Sequence, residues 1–247
     1  MRNPVISVQL FSVRNALADD FDAALDRVAA LGVSAVEPFG FVEDAPRYSS
    51  ALAQRGLAAP SAHAGFIESG EVTAALDAAA ELGVSTLIDP FVAADKWETA
   101  DDVARLADAL NSAAEKAQAY PGISLGYHNH AWELRTLIDG APALEVFASQ
   151  LSPAVVLEVD TYWAEVGGVP AAALLERLGE RVALIHVKDG DRDGDTSKQQ
   201  PAGRGGMPVA EILAAAPQAV RVLEFDDYAG DVFEGLAESL AFVRSAS

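Results

Sequence analysis

Two imidazoles stand two residues apart in Gly126-Tyr127-His128-Asn129-His130, at the end of the short apolar run Ile123 to Leu125. If that run is a strand, His128 and His130 point to one face, because side chains at i and i+2 share a face in extended chain. Such a pair suits a divalent cation or acid–base work, although an isolated pair of this spacing also occurs as structural histidines. The chain has four histidines, and the other two, His63 and His186, also follow apolar runs. Acids do the same: Glu37 after Ala35-Val36, Asp89 after Thr86-Leu87-Ile88, Asp160 after Ala154 to Val159, and Glu224 with Asp226 after Val220 to Leu223. There is no cysteine, so a bound metal must take imidazole, carboxylate or water. That donor set favours magnesium, manganese, cobalt or zinc.

The elements that must position these residues repeat in a cycle of strand, loop, helix and glycine. Val5 to Phe11 is a β-branched strand pattern, and Phe21, Leu25, Val28 and Leu31 have helical spacing, with Gly32 closing the helix. Ala35 to Glu37, Leu57 to Ser61 reaching His63, Thr86 to Asp89, Ile123 to His128, Ala154 to Asp160, Val182 to Val187 and Val220 to Phe225 continue the strands. Pro46 to Arg55, Glu71 to Leu82, Thr99 to Ala119, Ala141 to Leu151, Pro170 to Leu178, Met207 to Ala216 and Val232 to Ala246 are the helices between and after them. The segments ALDRVAALGVSAVEP and ALDAAAELGVSTLIDP match as an internal repeat. Eight strand–helix units in 247 residues predict a single (β/α)8 TIM barrel over residues 1–247. A doubly wound open sheet is the rival, but no G-x-G-x-x-G follows the first strand.

In such a barrel the reacting groups sit at the C-terminal ends of the strands, where all four histidines fall. Asp160, His186 and Glu224 come from three successive strands and His128 from the strand before, so they are expected to converge as a divalent N/O site. Acids crowded together repel, and a cation balances them most simply. The alternative is a network in which Lys188 and Arg204 neutralise the acids. Glu158, Glu165, Asp226 and Asp227 are expected to face solvent.

The formal net charge of -20, with no Lys/Arg cluster, argues against nucleic acid as a partner. No run of eighteen apolar residues appears, so a membrane span is not expected. The chain begins directly in a strand pattern, without a charged and apolar leader, and the expectation is a cytoplasmic protein. Whether it stands alone, as a homo-oligomer or with a small partner subunit is left open.

The motifs GVSAVEPFG, GYHNH, LEVDTYW, HVKD and LEFD, spread over the whole chain, resemble the sugar phosphate isomerase/epimerase family of the xylose-isomerase-like TIM barrel superfamily. The resemblance implies a metal held by residues of strands five to eight, which map to His128, Asp160, His186 and Glu224. It departs from that family at His128, where a glutamate is usual. It departs again at Trp163, where many members carry a histidine and where an indole suggests a wall for a sugar face. It also implies removal of a proton from the carbon next to a sugar carbonyl, through an enediolate. Glu37 is then the first candidate base, with His128 as base or ligand, and Lys188 the electrostatic stabiliser or proton donor. His63, His130 and Arg204 would orient hydroxyls of a small-molecule sugar or keto-sugar. A 3-keto-sugar or 3-keto-glycoside lyase or hydratase would share the half reaction, and a non-enzymatic sugar-binding protein is the alternative outside enzymes.

Overall fold

A computed structural model describes residues 4–246. Strands β1 (Ile6–Gln9), β2 (Ala35–Glu37), β3 (Ser61–His63), β4 (Thr86–Asp89), β5 (Ser124–His128), β6 (Val156–Asp160), β7 (Val182–Val187) and β8 (Val220–Leu223) form one parallel sheet. Their order is β2-β1-β8-β7-β6-β5-β4-β3. Isolated parallel bridges from Ala35 to Ala58 and from Phe39 to His63 join β2 to the segment of β3, and the sheet becomes a TIM barrel.

The helices α1 (Phe21–Ala30), α2 (Ala45–Gln54), α3 (Thr73–Leu82), α4 (Ala100–Ala117), α5 (Ala143–Gln150), α6 (Ala171–Leu178), α7 (Val209–Ala215) and α8 (Val232–Ser245) surround it. Their apolar stripes, with Leu25, Leu76, Leu110 and Leu240, bury against the outer faces of the strands. The longest, α4, starts at a capping box in which Thr99 and Asp102 each satisfy the other's backbone N–H. Inside the barrel a separate small cluster of Ile88, Leu184 and Val222 carries the polar strand ends above it.

Of the boundaries that differ from the sequence pattern, three have a clear local reason. β1 stops at Gln9 because the Gln9 side-chain oxygen accepts the Phe11 N–H at 3.0 Å, and short helices Leu10–Val13 and Arg14–Asp19 follow where a loop is expected. β3 begins at Ser61 instead of Leu57, since Pro60 has no N–H to give the ladder. α5 begins at Ala143 because Ala141–Pro142 pairs antiparallel with Leu137–Ile138.

Gly126 explains the first residue of the GYHNH segment. A Cβ there would stand 2.6 Å from Ile88 Cδ1 and 2.9 Å from the Val156 carbonyl oxygen, inside a filled barrel. Gly126→Ala is therefore expected to cost about 1–3 kcal/mol through overpacking. Urea denaturation measures it, and an unchanged midpoint would show that β5 has room the geometry denies.

Candidate active site and metal centre

Period two along the strands decides which side chains enter the barrel. Gln9, Glu37, Ser61, His63, His128, Glu158, Asp160 and His186 are all buried near its C-terminal end. Glu158 is a correction to the expectation of a solvent-facing acid: it shares a face with Asp160 two residues on, and both are fully buried.

Glu158 is also the centre of the polar cluster. Its Oε2 lies 2.6 Å from His63 Nε2, 3.1 Å from His128 Nδ1 and 3.1 Å from His186 Nε2. Its Oε1 is buried with no hydrogen-bond partner among the described residues. The His63 and His186 rings stack nearly parallel with centroids 5.4 Å apart, and the His128 ring meets His186 edge-on at 4.5 Å. Ligand atoms of His63, His128, Glu158 and His186 all fall within 4.8 Å of one another, which suits a divalent cation.

A second group, Asp160, His186 and Glu224, meets the same distance criterion and shares His186 with the first. His186 Nδ1 lies 2.6 Å from Glu224 Oε2. Here, however, an ammonium is already present: Lys188 Nζ lies 2.8 Å from Asp160 Oδ2, 2.6 Å from Glu224 Oε2 and 2.9 Å from Asp226. The expected ligand set of His128, Asp160, His186 and Glu224 is thus divided. His128 and His186 join His63 and Glu158, whereas the two acids pair with Lys188. Asp226, also expected in solvent, is held by Lys188 and by a two-way contact with buried Gln199. Glu165 departs from that expectation as well, accepting the Ala171 N–H at the start of α6 and pairing with Arg192.

The charges follow from this packing. Burial opposes charging His63, but Glu37 and Glu158 outweigh it and push the imidazole up to about 10. His186 rises for the same reason, against its own burial, beside Glu158 and Glu224. His128 goes the other way, held neutral by burial and by the neighbouring His186. Burial, with Lys188 nearby, pushes His130 down to about 3. A cation bound by the imidazoles would displace the protons on His63 and His186.

Glu37 is not on the cavity side of this cluster. Fully buried, its Oε1 takes the Gln9 amide at 2.7 Å and His186 Nε2 at 2.8 Å, and its Oε2 accepts the Ser61 hydroxyl. Both oxygens are engaged and neither lines the cavity above. Glu37, the candidate base, thus lies beneath His63 and His186 and away from the cavity.

The cavity has a volume of about 580 Å³, and His63, His128, His130, Lys188, Glu224 and Asp226 form its polar floor. His130 stacks on Trp132 with centroids 4.4 Å apart, and its buried Nδ1, 4.0 Å from Glu133 Oε1, has no hydrogen-bond partner among the described residues. Glu133, buried behind it, accepts the His130 N–H at 2.9 Å and the Tyr127 hydroxyl at 2.7 Å. Trp163 stands behind this wall, its ring 6.3 Å from that of His130, and does not line the cavity. Arg204 is not brought to the site at all; exposed, it reaches Glu238 on α8 at 3.2 Å. Asp89 caps a loop, accepting the N–H groups of Phe66 and Ile67 at 2.7 Å. No helix among the described residues is long and apolar enough to cross a membrane.

A search of curated proteins gives no match. Among solved structures, a sugar phosphate isomerase/epimerase from Parabacteroides distasonis is 25% identical, with a TM-score of 0.86 over 100% of this chain and 95% of that one. A second from the same organism is 19% identical, TM-score 0.81, over 98% of both chains. A D-allulose 3-epimerase from Methylomonas sp. has the same fold at 15% identity, TM-score 0.74, over 100% of this chain and 99% of that one. The family model described as a xylose isomerase-like TIM barrel matches residues 25–246, and this chain belongs to that family.

Proposed function

We propose that the protein is a divalent-metal-dependent sugar isomerase or epimerase that removes a proton from the carbon beside a sugar carbonyl. The observation that carries this reading is Glu158, one oxygen facing three imidazoles and the other buried without a partner, under a cavity of ligand size. A buried carboxylate oxygen is costly unless something satisfies it, and a cation held by His63, His128, Glu158 and His186 would do so. An imidazole-rich set favours zinc or cobalt over magnesium. Bound there, the metal would supply Lewis-acid polarisation of a carbonyl.

The remaining work falls to the chain's own groups on the cavity floor. Lys188, an ammonium even when buried because Asp160, Asp226 and Glu224 offset its desolvation, presents positive charge where oxyanion character develops. His130 lines the cavity and burial keeps its imidazole neutral, so it is the group we assign to accept a proton or a hydrogen bond from a sugar hydroxyl. His130→Ala is expected to lower kcat about 10²- to 10⁴-fold while leaving the bound metal in place. Steady-state kinetics with elemental analysis would check this, and full turnover by the variant would exclude His130 as the base.

The reaction class is tested in deuterium oxide. Solvent label is expected at the carbon next to the carbonyl, in product or in recovered substrate. Turnover without label would indicate hydride transfer and remove the proposed mechanism. A lyase acting on a keto-glycoside is the second reading, favoured by the room the cavity leaves beyond its polar floor. An unsaturated sugar and a released alcohol would identify it.

A further inference from the structure

The cavity has two unlike halves. Opposite the polar floor, its wall is made by Phe11, Phe39, Val42, Ala74 and Phe91, from the loops after β1, β2 and β4 and the start of α3. Four large hydrophobic residues are exposed among the described residues, and two of them, Phe11 at 37% and Phe91 at 51%, line this one cavity. Exposed aromatics gathered at a cavity commonly mark a binding surface. Phe11 stands edge-on to Phe39 with centroids 5.3 Å apart, and Phe91 stands edge-on to Trp132 at 5.6 Å, giving two fixed aromatic walls.

Charge narrows the occupant. Among the described residues that line the cavity, Lys188 is the one lysine or arginine, and three carboxylates already surround it; the His63 imidazole, also cationic, is taken by Glu37 and Glu158. The apolar half carries Glu43 and Glu71 instead. The start of α3 could favour an anion, but Glu71 stands just before it and brings a carboxylate to that end. No arginine lines the cavity to offer a phosphate its fork, since Arg14, stacked on Phe11 at 4.2 Å, gives its N–H groups to the Phe11 and Asp226 carbonyls, and a phosphate would meet acids. A bare sugar would reach the polar floor and leave the aromatic walls in water.

Resting on the keto-sugar reading above, we infer that the substrate is an uncharged keto-sugar carrying an apolar, ring-sized substituent, and not a sugar phosphate. The substituent lies between Phe11, Phe39 and Phe91 while the sugar ring occupies the floor beside His130 and Lys188. A flat apolar group there gains aromatic contact and removes exposed apolar surface from water.

Three matched ligands test this by titration against the full chain loaded with Co²⁺: 3-keto-D-glucose, its phenyl β-glycoside and its 6-phosphate. The phenyl glycoside is expected to bind at least about tenfold tighter than the parent sugar, and the 6-phosphate more weakly than the parent. Phe91→Ala should remove most of the phenyl advantage. So should Ala74→Trp, an exposed position where a bulky side chain fills the apolar half without burdening the core. If the 6-phosphate binds tightest, or the phenyl group gives no advantage, or both variants retain that advantage, the inference is overturned while the keto-sugar reading stands. If none of the three ligands binds, the keto-sugar reading falls and takes the inference with it.

Discussion

Lys188→Met is expected to lose about 3–5 kcal/mol of stability and about 10²- to 10³-fold in kcat. The side chain is buried, and its ammonium neutralises Asp160, Glu224 and Asp226 at 2.6 to 2.9 Å. Methionine nearly fills the same space but leaves three carboxylates facing one another with little water. The energy lost is therefore mainly the cost of unpaired buried charge. Adding Asp226→Asn should return part of the stability, because it removes one of the three acids, and it should not return the turnover. Urea denaturation and steady-state kinetics on the single and double variants separate the two effects. A single variant as stable as the parent would show that the acids are not held as ions by Lys188.

The barrel was legible because its signals are local. Apolar runs and helical spacing recur in eight units, several of them closed by a glycine, and each predicted strand ends within two residues of the observed one. The polar strand ends followed from the same reading, and the four histidines do converge. Depth was less legible. Glu37 ends a strand as expected, yet Gln9, Ser61 and His186 close over it, and contacts across strands leave no local mark in a sequence. Glu158 could have been found, since the period-two rule that puts His128 and His130 on one face puts Glu158 with Asp160. Arg204 could not, because the course of a long glycine-rich loop is set by tertiary contacts. In the structure that loop is tied down by Asp189, which accepts N–H groups from Gly203, Gly205 and Met207.

The two polar groups at the mouth share one residue and differ in what balances their charge. His186 turns Nε2 towards Glu37 and Glu158 and Nδ1 towards Glu224. On the Glu224 side a lysine supplies the positive charge. On the Glu158 side the positive charge comes from protonated imidazoles, the same atoms that would serve as ligands once their protons leave. Under the function proposed above, a removable cation would stand with Glu158 while a fixed one stands with Asp160 and Glu224, and fixed positive charge beside a reacting carbonyl would need no rearrangement during turnover.

That division makes the ligand set testable by substitution. The protein is expected to take up about one divalent ion per chain, by elemental analysis after loading. Glu158→Gln should weaken Co²⁺ binding by about 10- to 100-fold or more, since it removes the one carboxylate of a set otherwise made of imidazoles. Asp160→Asn should weaken it less, because Asp160 is paired with Lys188 and caps the helix Thr161–Val166 through the Trp163 N–H at 2.9 Å. His186→Ala should weaken it at least as much as Glu158→Gln, as the residue common to both groups. The visible spectrum of the Co²⁺ protein reports the ligands directly, so the ranking can be read without any activity. If Asp160→Asn and Glu224→Gln abolish binding while Glu158→Gln retains it, the metal belongs with those acids. Lys188 would then have to leave their oxygens when the ion enters, and its ammonium would be a displaceable stand-in for the cation.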